Sequence, residues 1–293
     1  MERTPLTLEH GKKINAQLDV MGMHLSEFSF PNLYLFRDTH QYEVISIDDG
    51  NTFISGLTYD KKRFIMPLTK PAAGKKCCIE VLTSLLASGD WDFIFPVPEE
   101  WVDCFNTEKY HCSYNQDDSD YLYLTEKLQT YPGKAMHKKK NLLNQFLRYD
   151  NIRTVPISGD VIGEAREVLA IWQETSPQEM STSDYHQCHE ALDLYHELKL
   201  TGFIVFIGSR PAGFLIGEPL NSETFTIHFA KADISFKGVY QFLFSHAARH
   251  YCPEYLYMNQ EQDMGNEGLR KTKISYRPDL IAHKYRAALI DNG

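Results

Sequence analysis

Between Tyr257 and Pro278 the sequence YMNQEQDMGNEGLRKTKISYRP brings amides, carboxylates, cations and a phenol within a few turns of chain. Groups of these types can position an amine, a carbonyl or a phosphate. The run Glu254 to Met258 is apolar and aromatic enough for a buried strand, and Asn259, Gln260, Glu261 and Asp263 follow it before Gly265 and Gly268 permit a turn. Arg270, Lys271 and Lys273 then fall on a helical segment that Asn266 is suited to cap, which ends near Ser275, Tyr276 and Pro278.

A second concentration of charge lies in PGKAMHKKKNLLNQFLRYDN, residues 132–151. Met136, Leu143, Phe146 and Leu147 recur at helical spacing, so one side of this helix docks on the protein. Lys134, His137, Lys138, Lys139 and Lys140 crowd its opening turns, where the helix dipole disfavours each cation by ~0.3–1 kcal/mol. Lysines and free N–H groups at a helix start suit a phosphate, and dispersed hydrated lysines are the other reading. His186, His189 and His196, with Asp193, share one side of a later helix, but no cysteine or carboxylate elsewhere completes a metal set and none is expected. His246 and His250 read as packed. No G-x-S-x-G or G-x-x-x-x-G-K-[ST] string supports a serine hydrolase or a P-loop.

These groups need elements to hold them. The chain has 293 residues, 43% of them hydrophobic and 24% charged, which suits a globular protein of two units at ~150 residues each. A formal net charge of −9 argues against coating DNA, so any polyanion site is local. The N-terminus lacks the apolar core of a signal peptide and no apolar run nears the ~20 residues of a membrane span, which leads to the expectation of a cytoplasmic protein with no transmembrane segment. Six cysteines (Cys77, Cys78, Cys104, Cys112, Cys188, Cys252) form no C-x-x-C pair and read as reduced thiols.

Strands are expected at Phe203–Ile207, Phe214–Ile216 and Thr224–Phe229, then a helix after Gly238, the strand at Glu254–Met258, the helix near 266–273 and an extended segment from Ser275 toward Leu289. The first half repeats the order. A strand at Tyr42–Ile47 leads through a turn at Asp48, Asp49 and Gly50 to strands at Phe53–Leu57 and Arg63–Leu68, then come a helix at Ala73–Ala87, a strand at Asp92–Phe95, a helix begun by Pro98 and a last strand at Tyr121–Leu124. Two helices intervene, one capped by Asp160 and one from Asp184 to Leu200. The offset near 160 residues suggests two copies of one α/β (α+β) fold, divided as 1–131 and 132–293, with the cleft in the second.

YPGKAMHKKKNLLNQFLRYD, followed far downstream by YMNQEQDMGNEGLRKTKISYRP, resembles the family related to the C-terminal domain of phosphatidylglycerol lysyltransferases. The resemblance covers most of the chain. It implies tandem acetyltransferase-like folds, each a mixed, mostly antiparallel central sheet flanked by helices, related to the Fem-type aminoacyl transferases of peptidoglycan. It also implies acyl or aminoacyl transfer from coenzyme A thioesters (acyl-CoA) or aminoacyl-tRNA to an amine or hydroxyl; in that reaction Asp263 or Glu261 would accept a proton or hold a cationic substrate, Tyr276 would donate a proton, and the acceptor would approach Asn259, Glu261 and Asp263. The stretch matching the family's phosphate-binding loop is Asp233 to Val239, so Lys237 and Gly238, with Arg270 and with Lys138 and Lys140, are the expected donor-binding residues. This chain has Gln241 where the lysyltransferases tend to carry an acidic residue, which weakens lysine as the group moved, and their lipid-embedded region has no counterpart, which removes support for a phospholipid acceptor. A non-catalytic module that senses a CoA-type metabolite or docks tRNA is the alternative.

Overall fold

A computed structural model describes residues 1–47, 51–70 and 79–290. The expected turn at 48–50, the start of the helix expected from Ala73, and Cys77 and Cys78 lie outside the described residues. In chain order the elements are β1 (Glu2–Pro5), α1 (Gly11–Met21), α2 (Phe30–Leu35), α3 (Arg37–His40), β2 (Glu43–Ser46), β3 (Thr52–Leu57), β4 (Arg63–Pro67), α4 (Ile79–Ala87), β5 (Phe93–Pro98) and β6 (Tyr110–Tyr114). They continue with β7 (Asp120–Leu124), α5 (Thr125–Thr130), α6 (His137–Phe146), β8 (Ile152–Pro156), α7 (Ile162–Thr175), α8 (Tyr185–Asp193), β9 (Thr201–Ile207), β10 (Arg210–Pro219), β11 (Thr224–Ala232), α9 (Val239–His250), β12 (Tyr257–Asn259), α10 (Glu267–Ser275), β13 (Leu280–Ala282) and β14 (Lys284–Leu289).

Two seven-stranded sheets result, in the orders β1-β2-β3-β4-β5-β14-β6 and β13-β7-β12-β11-β10-β9-β8. Both are mostly antiparallel, but β4 runs parallel to β5 and β11 parallel to β12. Parallel neighbours need a crossover, and the helices supply it: α4 between β4 and β5, α9 between β11 and β12. Nearly every face of α9 is buried, because β10 and β11 cover one side and α5 and α6 the others.

The chain divides into two compact units that do not follow a single cut. One gathers Met1–Asp120, Gln262–Arg270 and the described residues from Ile281 onward; the other gathers Tyr121–Glu261 and Lys271–Leu280. The expected boundary after residue 131 therefore falls inside the second unit. The physical reason is strand pairing: β7 bonds to β12, with Tyr257 opposite Leu124 and Asn259 opposite Leu122, while the terminal strand β14 inserts between β5 and β6. Three shorter corrections apply. The helix begun by Pro98 is a six-residue 3-10 helix, Glu99–Cys104. Asp160 sits within a 3-10 turn, and Val161 rather than Asp160 precedes α7. The helix after Asp184 ends at Asp193 rather than Leu200.

Candidate functional site

In the second unit the paired stretch of β11 and β12 is short. Thr224, Phe225 and Thr226 face Tyr257, Met258 and Asn259; β12 then ends, while β11 runs on to Ala232. The two parallel strands thus fork just beyond Thr226 and Asn259. A bulge lies at the same level on the other side of β11. Ile216 of β10 opposes Phe229 and Gly217 opposes Ile227, so His228 is the extra residue. The bulge brings the backbones so close that a Cβ on Gly217 would overlap the Thr226 carbonyl oxygen.

His228 is fully enclosed and joins both neighbouring strands. Its Nε2 lies 3.0 Å from Oε1 of Glu218 on β10, and its Nδ1 lies 2.9 Å from Oε1 of Glu261, just past β12. Burial by itself would lower the pKa of this ring, but the hydrogen bonds and charges of Glu218 and Glu261 outweigh it and raise the value to about 10. His228 is therefore an imidazolium at neutral pH and donates from both nitrogens.

Glu261 is fixed by its backbone as well. It adopts a left-handed conformation (φ +59°), its N–H donates to Asn259 Oδ1 at 2.6 Å, and its carbonyl accepts from Lys273 Nζ at 3.0 Å and from the Tyr121 N–H. Lys273 Nζ also bonds the Gln260 carbonyl. A non-glycine residue with positive φ is costly, by ~1–3 kcal/mol, unless its surroundings hold it. Here an amide and an ammonium do so. Asn259 and Thr226 are both wholly buried, and the Thr226 hydroxyl has no hydrogen-bond partner among the described residues.

The remaining expected residues lie as follows. Asn266 caps α10 as anticipated, accepting the Leu269 N–H at 3.0 Å. The Asp263 carboxylate is buried in the first unit, where Arg270 grips it through Nε at 2.8 Å and Nη2 at 2.6 Å and also bonds Asp117. Asp263 and Arg270 thus form a pair of their own. Tyr276 is buried in the second unit among Tyr123, Tyr131 and Phe244, and its hydroxyl accepts from Gln241 Nε2 at 2.5 Å. Burial raises its pKa far above that of a free phenol.

Lys138 and Lys140 are exposed on the first turn of α6, whereas Lys139 turns inward, 3.6 Å from the centre of the Tyr276 ring. Burial lowers the Lys139 pKa to about 8. In the loop before α9, Asp233 bonds the Ser235 N–H and pairs with Arg210, while Lys237 is exposed. Gly238 has φ +89°, and a Cβ there would overlap the Leu142 carbonyl of α6, so only glycine lets loop and helix meet.

Sequence reasoning missed His228, Glu218 and Thr226. The signal was an ionisable residue inside the apolar strand TFTIHFAKA, which must find a partner once buried. Among the described residues no group of three or more His, Cys, Asp or Glu is placed to hold a metal, and no helix is long and apolar enough to cross a membrane. Among the described residues Cys104, Cys112, Cys188 and Cys252 are not joined in disulfides.

Two mixed, mostly antiparallel sheets flanked by helices, with a forked parallel pair, define the acetyltransferase-like class of α/β fold. The family described as phosphatidylglycerol lysyltransferase, C-terminal, matches residues 19–288, and the chain belongs to it. An uncharacterized protein of Mycoplasmoides gallisepticum (strain R(low / passage 15 / clone 2)) is 27% identical over 242 residues, 78% of this chain and 76% of that one. A conserved protein of unknown function from Bacteroides thetaiotaomicron VPI-5482 superimposes with a TM-score of 0.86 at 28% identity, covering 99% of this chain and 100% of that one. L-PGS from Bacillus licheniformis shares the fold, with a TM-score of 0.63 at 16% identity over 96% of this chain and 92% of that one.

Proposed function

We propose that the chain is an acyl-group transferase of the aminoacyl type, which moves an aminoacyl or acyl group from an aminoacyl-tRNA or acyl-CoA donor to an amine or hydroxyl. The observation that carries this reading is the fork of β11 and β12, where Thr226 and Asn259 stand in register and Glu218, His228 and Glu261 lie at the opening. Membership of a lysyltransferase family supports it.

Beyond Asn259 the edge of β11 has no β12 partner, and backbone N–H groups at such an edge suit a carbonyl that gains negative charge during attack. The new C–N or C–O bond forms as the bond to the ribose oxygen or thiolate sulfur breaks, and the proton lost by the acceptor ends on the leaving group. A carboxylate such as Glu261 can carry that proton; His228 cannot accept it while already charged. The donor's phosphates fall to Lys237 and the Gly238 turn at the start of α9, with Lys138 and Lys140 on α6, the helix whose Leu142 carbonyl approaches Gly238. Asp263 and Arg270 act on this reading through the pair they make in the first unit, and Tyr276 through its bond with Gln241.

The test supplies purified protein with labelled aminoacyl-tRNA and, separately, labelled acyl-CoA, each with small amine and hydroxyl acceptors. Transfer from either donor that falls at least tenfold in Glu261→Gln, with donor binding retained, is the expected result. No transfer from either donor, with no rise in melting temperature at high donor concentration, would refute the reading.

A further inference from the structure

Two histidines lie together at the C-terminal end of α9. His246 and His250 are four residues apart, so one face of the helix carries both, the arrangement by which a helix can offer two imidazoles to one metal ion. Their ring centres are 4.4 Å apart and the ring planes are inclined by 40°. Two imidazoles bound to one ion through nitrogens at ~2.0–2.1 Å have ring centres about 4.5–5 Å apart, so the pair already stands close to the spacing of ligands.

A separate observation concerns the ring nitrogens. Neither ring donates or accepts a hydrogen bond among the described residues. His246 is half-buried and packs on Phe203 and Phe242, with ring centres 4.6 and 5.4 Å away, whereas His250 is exposed. An imidazole set among aromatic rings without a hydrogen bond lacks the partner that a polar group ordinarily keeps when it leaves water. The charges nearby admit a cation. The end of α9 carries partial negative charge, and Arg249 is drawn to another carbonyl, donating to Gln129 from Nε at 2.8 Å and from Nη2 at 2.7 Å. Burial, with the charges of His250 and Arg249, lowers the His246 pKa to about 4, so this ring is neutral and offers a lone pair at neutral pH.

We propose that His246 and His250 bind one divalent transition-metal ion of the zinc class through one nitrogen of each ring. Two protein ligands are fewer than a closed structural site has, so water fills the remaining positions and the ion is exchangeable. Imidazole nitrogen selects zinc, nickel or copper over magnesium and calcium, whose preferred ligands are oxygens. The bound ion ties the last turns of α9 together. Because the pair stands at the opposite end of α9 from the Gly238 turn, the site is separate from the proposed transfer reaction and stands or falls without it.

The test titrates zinc chloride into the full chain at neutral pH, with magnesium chloride as the comparison. It follows the melting temperature and the 15N ring signals of His246 and His250, which report this site apart from other histidines and the cysteines. Zinc is expected to shift the ring signals of both residues together and to raise the melting temperature, and magnesium to do neither. His250→Gln, at an exposed position, is expected to leave circular dichroism unchanged and to weaken the zinc response of the His246 signals at least tenfold. Zinc that leaves either ring unmoved, an equal response to magnesium, or a His250→Gln chain whose His246 signals respond as before would overturn the proposal. His246→Gln removes packing on Phe203 together with a ligand; if that variant fails to fold, His250→Gln decides.

Discussion

The charge on His228 makes a stability prediction that can be worked through. Its pKa rises from 6.5 to about 10 in the fold because Glu218 and Glu261 outweigh the effect of burial. At about 1.4 kcal/mol for each tenfold change in proton affinity, that rise ties on the order of 5 kcal/mol of stability to one proton. The sign follows from linkage. Below pH 6.5 the ring is protonated in folded and unfolded chains alike, and the contribution is present in full. From 6.5 to 10 the unfolded ring has lost its proton and the folded one keeps it, so stability falls steadily; above 10 the contribution is gone. Urea denaturation of the unaltered chain and of His228→Gln, at intervals from pH 6 to pH 10, isolates this effect because the variant lacks the titration. The stability gap between the two should narrow by several kcal/mol across that range, and the His228 ring resonances should not titrate below pH 9. A constant gap, or a ring that titrates near 6.5, would show that the glutamates do not hold a cation and would refute the electrostatic account of the fork.

Other groups give independent tests. Glu27, buried beside Lys284 and Asp120 in the first unit, has its pKa raised to about 7 chiefly by burial, so its contribution is full below 4.5 and is lost as pH rises through 7; Glu27→Gln should flatten the urea stability profile over that window. Arg270→Ala leaves the wholly buried Asp263 carboxylate without its guanidinium, and because Arg270 is itself 27% exposed the expected loss lies toward the lower end of ~3–5 kcal/mol; a loss below about 1 kcal/mol by urea denaturation would contradict the pairing. Gly238→Ala must relieve both a positive φ and an overlap with the Leu142 carbonyl, so a loss of about 1–3 kcal/mol is expected, with weakened donor binding measured alongside the melting temperature.

How much of this was legible depended on whether the signal was local. Phe203–Ile207 is apolar along its length and Thr224–Phe229 sets an apolar residue at every second position, and strands lie at both because their side chains are buried on both faces. The caps and turns around Asn266 and Gly238 were legible for the same reason, since the residue types themselves fix the backbone. Elements whose formation depends on a distant partner were not. β1 is the polar segment ERTP, and it is a strand because Glu2 to Pro5 pair with Ser46 to Glu43. Likewise nothing within KYRAAL announces that β14 belongs between β5 and β6.

The chemistry of the fork was half legible for a related reason. Glu261 and Asn259 could be found because polar residues after an apolar run mark a strand end, but Glu218 lies 43 positions upstream of Glu261, and only the fold brings both to one imidazole. A bulge is also invisible in sequence, because it is a property of two strands in register rather than of either one. It is nonetheless what makes the site. Without the extra residue, one position on β11 would oppose one on β10 throughout, and the strand would keep its regular alternation past the fork. With it, His228 reaches a carboxylate on each side at 2.9 and 3.0 Å and bridges β10 to the turn after β12 at the level where β11 and β12 part. The charge cluster therefore depends on the bulge, so a change that restores regular pairing between β10 and β11 would be expected to abolish it.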